Sequence, residues 1–189
     1  MNRDVFKQIL VDEKQLYLGD NPAKIKDMRK RKHKRYIIWR YMYYFRNWKF
    51  CSDLRQSSEA GRIDRKLAKH KAHYYEKKKN IFSYRSGVEI GANSTVGRNC
   101  DIWHSGVVIN GTVGDNCVFH GNNTIGNKGK GSESVTPTLG NGVDVGVGAV
   151  IIGGVTIADD CVIGANSVVT KSFEMPGTVI AGVPGKVIN

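Results

Sequence analysis

The chain has 189 residues, of which 40% are hydrophobic and 24% charged, a balance that fits a soluble globular protein. Its 22 glycines against 4 prolines argue for tight turns inside regular structure and against a disordered linker. The formal net charge of +12 is uneven: residues 1–80 carry 23 Lys and Arg against 9 Asp and Glu, residues 81–189 carry 6 against 8, so the basicity belongs to an appendage and does not mark a nucleic-acid-binding fold.

Residues 1–80 read as a basic, aromatic α-helical region. Asn21–Pro22 is a helix start, and Lys24–Phe50 follows as a helix that is basic at its beginning and aromatic at its end. The segment "SSEAG", Ser57–Gly61, breaks it with serine caps and a glycine, and Arg62–Asn80 forms a second basic helix. Tyr36–Phe50 is too apolar for a solvated face. It predicts packing against the rest of the molecule together with peripheral contact of residues 24–50 with an anionic membrane surface. Nucleic acid is the less favoured third reading. No apolar run reaches the roughly 18 residues of a membrane span. The charged first 30 residues do not read as a signal peptide. The expected location is therefore the cytoplasm, at the inner face of the membrane if the helices dock there, with Cys51, Cys100, Cys117 and Cys161 as free thiols. None of the four forms a CxxC pair, which speaks against a zinc ribbon.

Residues 81–189 carry a six-residue repeat. Aliphatic anchors recur at Ile90, Val96, Ile102 and Val108, resume after a five-residue step at Val113, Phe119 and Ile125, and run again from Leu139 through Val145, Ile151, Ile157, Ile163 and Val169. Small or mid-sized residues stand four after most anchors, among them Ser94, Cys100, Cys117, Ala149, Cys161 and Ser167. Six is the period of neither a helix nor a simple strand. It fits short strands joined by regular corners, three to a triangular coil, with coils about 4.8 Å apart. Each buried aliphatic anchor is worth roughly 1.5–3 kcal/mol, so a dozen make a core without a helix. The cysteines in the small positions are core residues, not nucleophiles. A loop at 127–138 interrupts the coil, and a tail ends the chain.

The stretch "IWHSGVVING", Ile102–Gly111, holds both the stumble in the repeat and His104, one of two histidines in the repeats. His120 lies sixteen residues on, about one coil away, and Glu89 lies fifteen residues before, so the two fall near the same edge as His104. An imidazole backed by a carboxylate is a general base: the carboxylate fixes the tautomer and stabilises the imidazolium. His104 is thus the candidate base and Glu89 the group that orients it. His120 either binds the acceptor or fills the turn at the site edge.

The hexads resemble those of the hexapeptide-repeat acyltransferases. The resemblance implies a mainly β fold, a left-handed parallel β-helix after the helical region, and a homotrimer. The hand of the coil comes from the resemblance and not from the period. Over Ser86–Asn189, "WHSGVVI", "TPTLGNGVDVGVGAVIIGGVTIADDCVIGANSVVTK" and "MPGTVIAGVPGKVI" are similar to the serine acetyltransferase branch. That branch has a catalytic histidine, matched by His104, with a carboxylate fifteen residues earlier, matched by Glu89. It binds acetyl-CoA between coils of adjacent subunits. The matching positions are Gly126, Asn127, Ala149, Ala165, Thr170, Lys171 and Lys186, with the two lysines as partners for the CoA phosphates.

Three positions depart from the branch. The Asp that precedes its catalytic histidine is Trp103 here, and its Arg-His pair before "PTLG" is Val135 and Thr136. A site for a zwitterion needs charges for both ends, since an unpaired buried charge is costly. An indole beside the base suits the apolar face of a sugar ring. The sequence therefore predicts an acetyl-CoA-dependent O-acetyltransferase of the polysaccharide-modifying type. Its acceptor would be a sugar hydroxyl in bacterial surface polysaccharide biosynthesis, contacted by Trp103, His120 and Thr136. Serine O-acetyltransferase of cysteine biosynthesis is the alternative, and a non-catalytic β-helix for binding or scaffolding is the alternative of another class. A metal-dependent hydratase on this scaffold needs three histidines at a shared interface. The repeats hold two, so no metal is expected.

Overall fold

The computed structural model describes residues 2–132 and 134–188. It falls into two compact units, Met1–Gly87 and Val88–Asn189.

The first unit is helical. Helix α1 (Arg3–Leu18) starts where the Asn2 side chain accepts from the Asp4 amide, and ends at Gly19 with φ 69°. Helix α2 (Pro22–Lys30) is capped by Asn21, which accepts from the amides of Ala23 and Lys24, with proline in the first turn. The single helix expected over Lys24–Phe50 is broken: Lys32 takes φ 51° and His33 caps a new helix, α3 (Lys34–Gln56). Helix α4 (Arg62–Ser86) begins after the expected break but runs past Asn80, and stops only at Gly87, which is left-handed. The lysine run of 77–79 does not end a helix, because lysine is a good helix former.

Ile38, Tyr41, Met42, Tyr44 and Phe45 of α3 are buried and form the core of this unit. This part of the aromatic half of α3 packs inside the unit, while Tyr36, Trp39, Tyr43, Trp48 and Phe50 are half-buried. A buried ion pair, Arg46 to Glu13 at 2.6 Å, ties α3 to α1. Among the described residues no helix is long and apolar enough to cross a membrane.

The second unit is a β solenoid with three sheets. One holds β1 (Val88–Ile90), β4 (Val107–Ile109), β7 (Thr124–Gly126), β10 (Val150–Ile152) and β13 (Val168–Val169). The next holds β2 (Thr95–Val96), β5 (Thr112–Val113), β8 (Thr138–Leu139) and β11 (Thr156–Ile157). The third holds β3 (Asp101–Ile102), β6 (Val118–Phe119), β9 (Asp144–Val145), β12 (Val162–Ile163), β14 (Val179–Ala181) and β15 (Lys186–Val187). Every pairing between these strands is parallel except β14 with β15.

The hexads explain this geometry. Every anchor named above except Val108 is buried, as are Ser94, Cys100, Cys117, Ala149, Cys161 and Ser167 in the small positions. Corners turn through residues with positive φ, including Asn99, Asn116, Asp160 and Asn166, where a short polar side chain tolerates the left-handed region. A glycine after the anchor has a steric cause. A Cβ on Gly97 would lie 2.3 Å from the carbonyl of Gly114 on the next coil.

The irregular repeat differs from its expected form. Val108 is 39% exposed, and Ile109, at 1%, points inward instead. The pairing of Val88 with Val107 and Ile90 with Ile109 sets this phase. The spacing is thus seven residues from Ile102 to Ile109 and four from Ile109 to Val113. The extra residue sits on the corner Trp103–Gly106, and the deficit follows it. The loop lengthens the next coil: Phe119 pairs with Val145, 26 residues on, whereas Val145 pairs with Ile163, 18 residues on.

Candidate active site

The extra residue lets the corner between β3 and β4 bulge outward, carrying Trp103 and His104 exposed. Two backbone bonds fix it on the coil above: Trp103 N–H donates to Phe119 O at 2.9 Å, and Asn122 N–H to Ser105 O at 2.9 Å. His104 stacks over Gly121, one residue beyond the position expected from simple spacing. A Cβ built on Gly121 would fall 2.6 Å from the His104 Cβ, and Gly121 has φ 118°. Only glycine leaves room for the His104 Cβ and its corner there. Buried Asn123 holds this glycine: its Oδ1 accepts from Gly121 N–H at 2.9 Å, and its Nδ2 donates to Gly146 O at 2.8 Å.

Trp103 and His120 face each other on adjacent coils, ring centroids 4.3 Å apart. The indole N–H donates to Asp101 Oδ2 at 3.0 Å, which sets the ring's orientation. His120 Nε2 lies 2.7 Å from Asp144 Oδ1, on the coil beyond. The structure thus gathers Trp103, His104 and His120 on one edge, as the spacing predicts, and adds Asp144.

Glu89 is exposed on β1 and pairs in register with Val108, not with the corner that bears His104. Among the described residues no hydrogen bond or ion pair joins Glu89 to His104. An imidazole–carboxylate pair does exist at this edge, but it belongs to His120.

The loop folds back on the corner at Gly153–Gly154. A Cβ on Gly153 would meet Lys128 Cε at 2.6 Å, and one on Gly154 would meet Val135 Cγ1 at 2.8 Å. At its root, Gly126 ends β7 and is buried, and Asn127 Oδ1 accepts from Gly129 N–H at 3.0 Å. Thr136 is half-buried beside buried Pro137. Ala149 is fully buried, and its carbonyl accepts from Thr124 N–H, so its side chain belongs to the core. Ala165, Thr170, Lys171 and Lys186 are exposed. Lys171 Nζ stands 5.3 Å from the Phe173 ring centroid.

Asp144, Asn123 and Lys128 do not emerge from sequence reasoning. Asn123 occupies the inward position of its hexad and brings a side-chain amide where the other hexads carry Ser, Cys, Ala or Val, which marks it in the sequence. Asp144 carries no such mark. Among the described residues no cluster of three His, Cys, Asp or Glu side chains could hold a metal ion.

No protein-family profile matches the chain. Its curated relatives include the serine acetyltransferase of Synechococcus elongatus, 42% identical over 106 residues, covering 54% of this chain and 43% of that protein. Another is a Helicobacter pylori serine acetyltransferase, 35% identical over 127 residues, covering 64% of this chain and 74% of that protein. The chain thus spans under half the length of the first relative and about three quarters of the second. The crystal structure of a Neisseria gonorrhoeae serine acetyltransferase superposes with a TM-score of 0.69 at 24% identity, over 99% of this chain and 67% of that one. At that identity the likeness speaks for the fold alone.

These relatives overturn the sugar hydroxyl as acceptor, and with it the polysaccharide-modifying type and a role in polysaccharide biosynthesis. The proteins this chain resembles are serine acetyltransferases. Trp103, Val135 and Thr136 remove charges at three positions, which is a change within the branch and not a departure from it.

Proposed function

Because this chain belongs to the serine acetyltransferase family, we propose that it transfers the acetyl group of acetyl-CoA to the hydroxyl of L-serine, with His104 as general base. The observation that carries this reading is the seat of His104. It stands exposed on a corner with one extra residue, over a glycine that leaves it room.

In the proposed reaction the neutral His104 imidazole takes the proton of the serine hydroxyl as that oxygen attacks the thioester carbonyl. The tetrahedral intermediate collapses, the C–S bond breaks, and the imidazolium returns the proton to the departing CoA sulfur. The products are O-acetylserine and CoA, with no acyl-enzyme. Glu89 is assigned the role of orienting His104.

Gly126 and Asn127 at the loop root, with exposed Ala165 and Thr170, are the proposed acetyl-CoA contacts. Lys171 and Lys186 are the cations for its phosphates. Buried Ala149 shapes the wall from behind. Thr136 lines the acceptor side. A homotrimer is the proposed assembly, and mass measurement in solution checks it. Burial of Tyr41, Tyr44 and Phe45 supports a packing role for α3.

The test is the full chain with acetyl-CoA and L-serine, following free CoA thiol and O-acetylserine together. Equal amounts of both products are expected. A chain that fails to bind acetyl-CoA contradicts the proposal and favours a non-catalytic β-helix.

A further inference from the structure

L-Serine is a zwitterion, so a site that accepts it must answer an ammonium and a carboxylate beside the reacting hydroxyl. An unanswered charge in a closed site costs several kcal/mol. Trp103, Val135 and Thr136 carry no charge. Yet the edge that bears His104 holds an imidazole and a carboxylate, His120 and Asp144, 2.7 Å apart.

We propose that His120 and Asp144 together read the two charges of the acceptor, an assignment that rests on serine being the acceptor. Asp144 Oδ1 is engaged with His120 Nε2, and no described residue bonds to Oδ2, which is free to accept from the ammonium. With Nε2–H donated to Asp144, Nδ1, which no described residue occupies, is left for the acceptor and, when it carries a proton, donates to the acceptor carboxylate.

Three features separate this pair from an ordinary surface ion pair, whose worth is about 0–1 kcal/mol. First, the imidazole is held on two sides, by Asp144 and by the Trp103 indole at 4.3 Å. Second, the indole is itself fixed through its N–H to Asp101, although 42% of the residue stays exposed, so an apolar ring is kept open beside the base. Third, His120 directly precedes Gly121, the seat of His104, so the imidazole of the pair stands next to the base on the adjoining coil. Trp103 is then a wall for an amino acid held by charges supplied from two other coils, and not a platform for a sugar.

The experiment uses the full chain and the variants Asp144→Asn and His120→Gln. CoA release is measured with L-serine, with 3-hydroxypropionate, which lacks the ammonium, and with ethanolamine, which lacks the carboxylate. Each variant is expected to raise KM for L-serine about tenfold or more, the loss of one charge-assisted hydrogen bond, while KM for acetyl-CoA stays within about twofold. Asp144→Asn should erase the preference for serine over 3-hydroxypropionate, and His120→Gln the preference over ethanolamine. A loss of position alone would not split the analogues in this way. Serine turnover by the unaltered chain with unchanged serine KM in both variants overturns the pair and leaves the proposed function standing. A parallel rise of both KM values also overturns it. No serine turnover by the unaltered chain overturns the proposed function itself, and the pair with it.

Discussion

Gly121→Ala tests whether the seat of His104 matters for chemistry. Two costs arise. The φ of 118° lies where a side-chain-bearing residue is strained, and such a residue costs on the order of 1–3 kcal/mol. The new Cβ would also meet the His104 Cβ at 2.6 Å and the Ser105 carbonyl at 3.2 Å, well inside ordinary contact. Since Asn123 pins the Gly121 amide, the exposed His104 corner is the part that gives way. A displacement of about 1 Å at a reacting group can cost 10²-fold in rate. The expected result is a fall in kcat of about that size with a melting temperature lowered by a few degrees. Gly177→Ala is the control. It imposes φ 69° on alanine, but no atom lies within 4 Å of the new Cβ, so it isolates the backbone cost. CoA release and thermal unfolding are measured on both. A Gly121→Ala variant that loses stability but keeps the wild-type kcat refutes the reasoning.

The phase of the irregular repeat predicts that Ile109→Ala destabilises by about 2–5 kcal/mol while Val108→Ala changes little, and denaturant unfolding separates them. The reverse order would restore Val108 as the anchor. Glu13→Ala leaves the Arg46 guanidinium buried without its carboxylate and should cost about 3–5 kcal/mol, read from helical ellipticity against temperature. All four cysteines are free and buried, and burial pushes the Cys51 thiol above its ordinary value. A thiol reagent at neutral pH should therefore label the native chain slowly and the unfolded chain fully; rapid native labelling would contradict the assigned core.

The solenoid is readable from sequence because one anchor per strand repeats at a period that no other regular structure shares. Reading fails where the pattern is degenerate. Val107, Val108 and Ile109 are three apolar residues in a row, each able to serve as anchor, and only the backbone pairing with Val88–Ile90 chooses between them. His104 stands out because it interrupts an apolar repeat. Asp144 does not, because the loop stretches that coil to 26 residues and no regular spacing ties it to His120. The aromatic end of α3 carries apolar surface in plain sight, but composition does not say whether protein or lipid covers it. In the structure protein covers Tyr41, Tyr44 and Phe45 and leaves Tyr36, Trp39, Tyr43, Trp48 and Phe50 half-buried. Judging the acceptor from Trp103, Val135 and Thr136 weighs charges position by position. Charges at a coil edge also come from neighbouring coils, and that arrangement exists only once the chain is folded.

The central claim is that His104 activates the serine hydroxyl. His104→Ala in the full chain, assayed for O-acetylserine at saturating acetyl-CoA and L-serine, tests it most directly. The account predicts a loss of at least about 10²-fold in kcat, the usual contribution of a general base, with the melting temperature and acetyl-CoA binding retained. Turnover at the wild-type rate in that variant would contradict it.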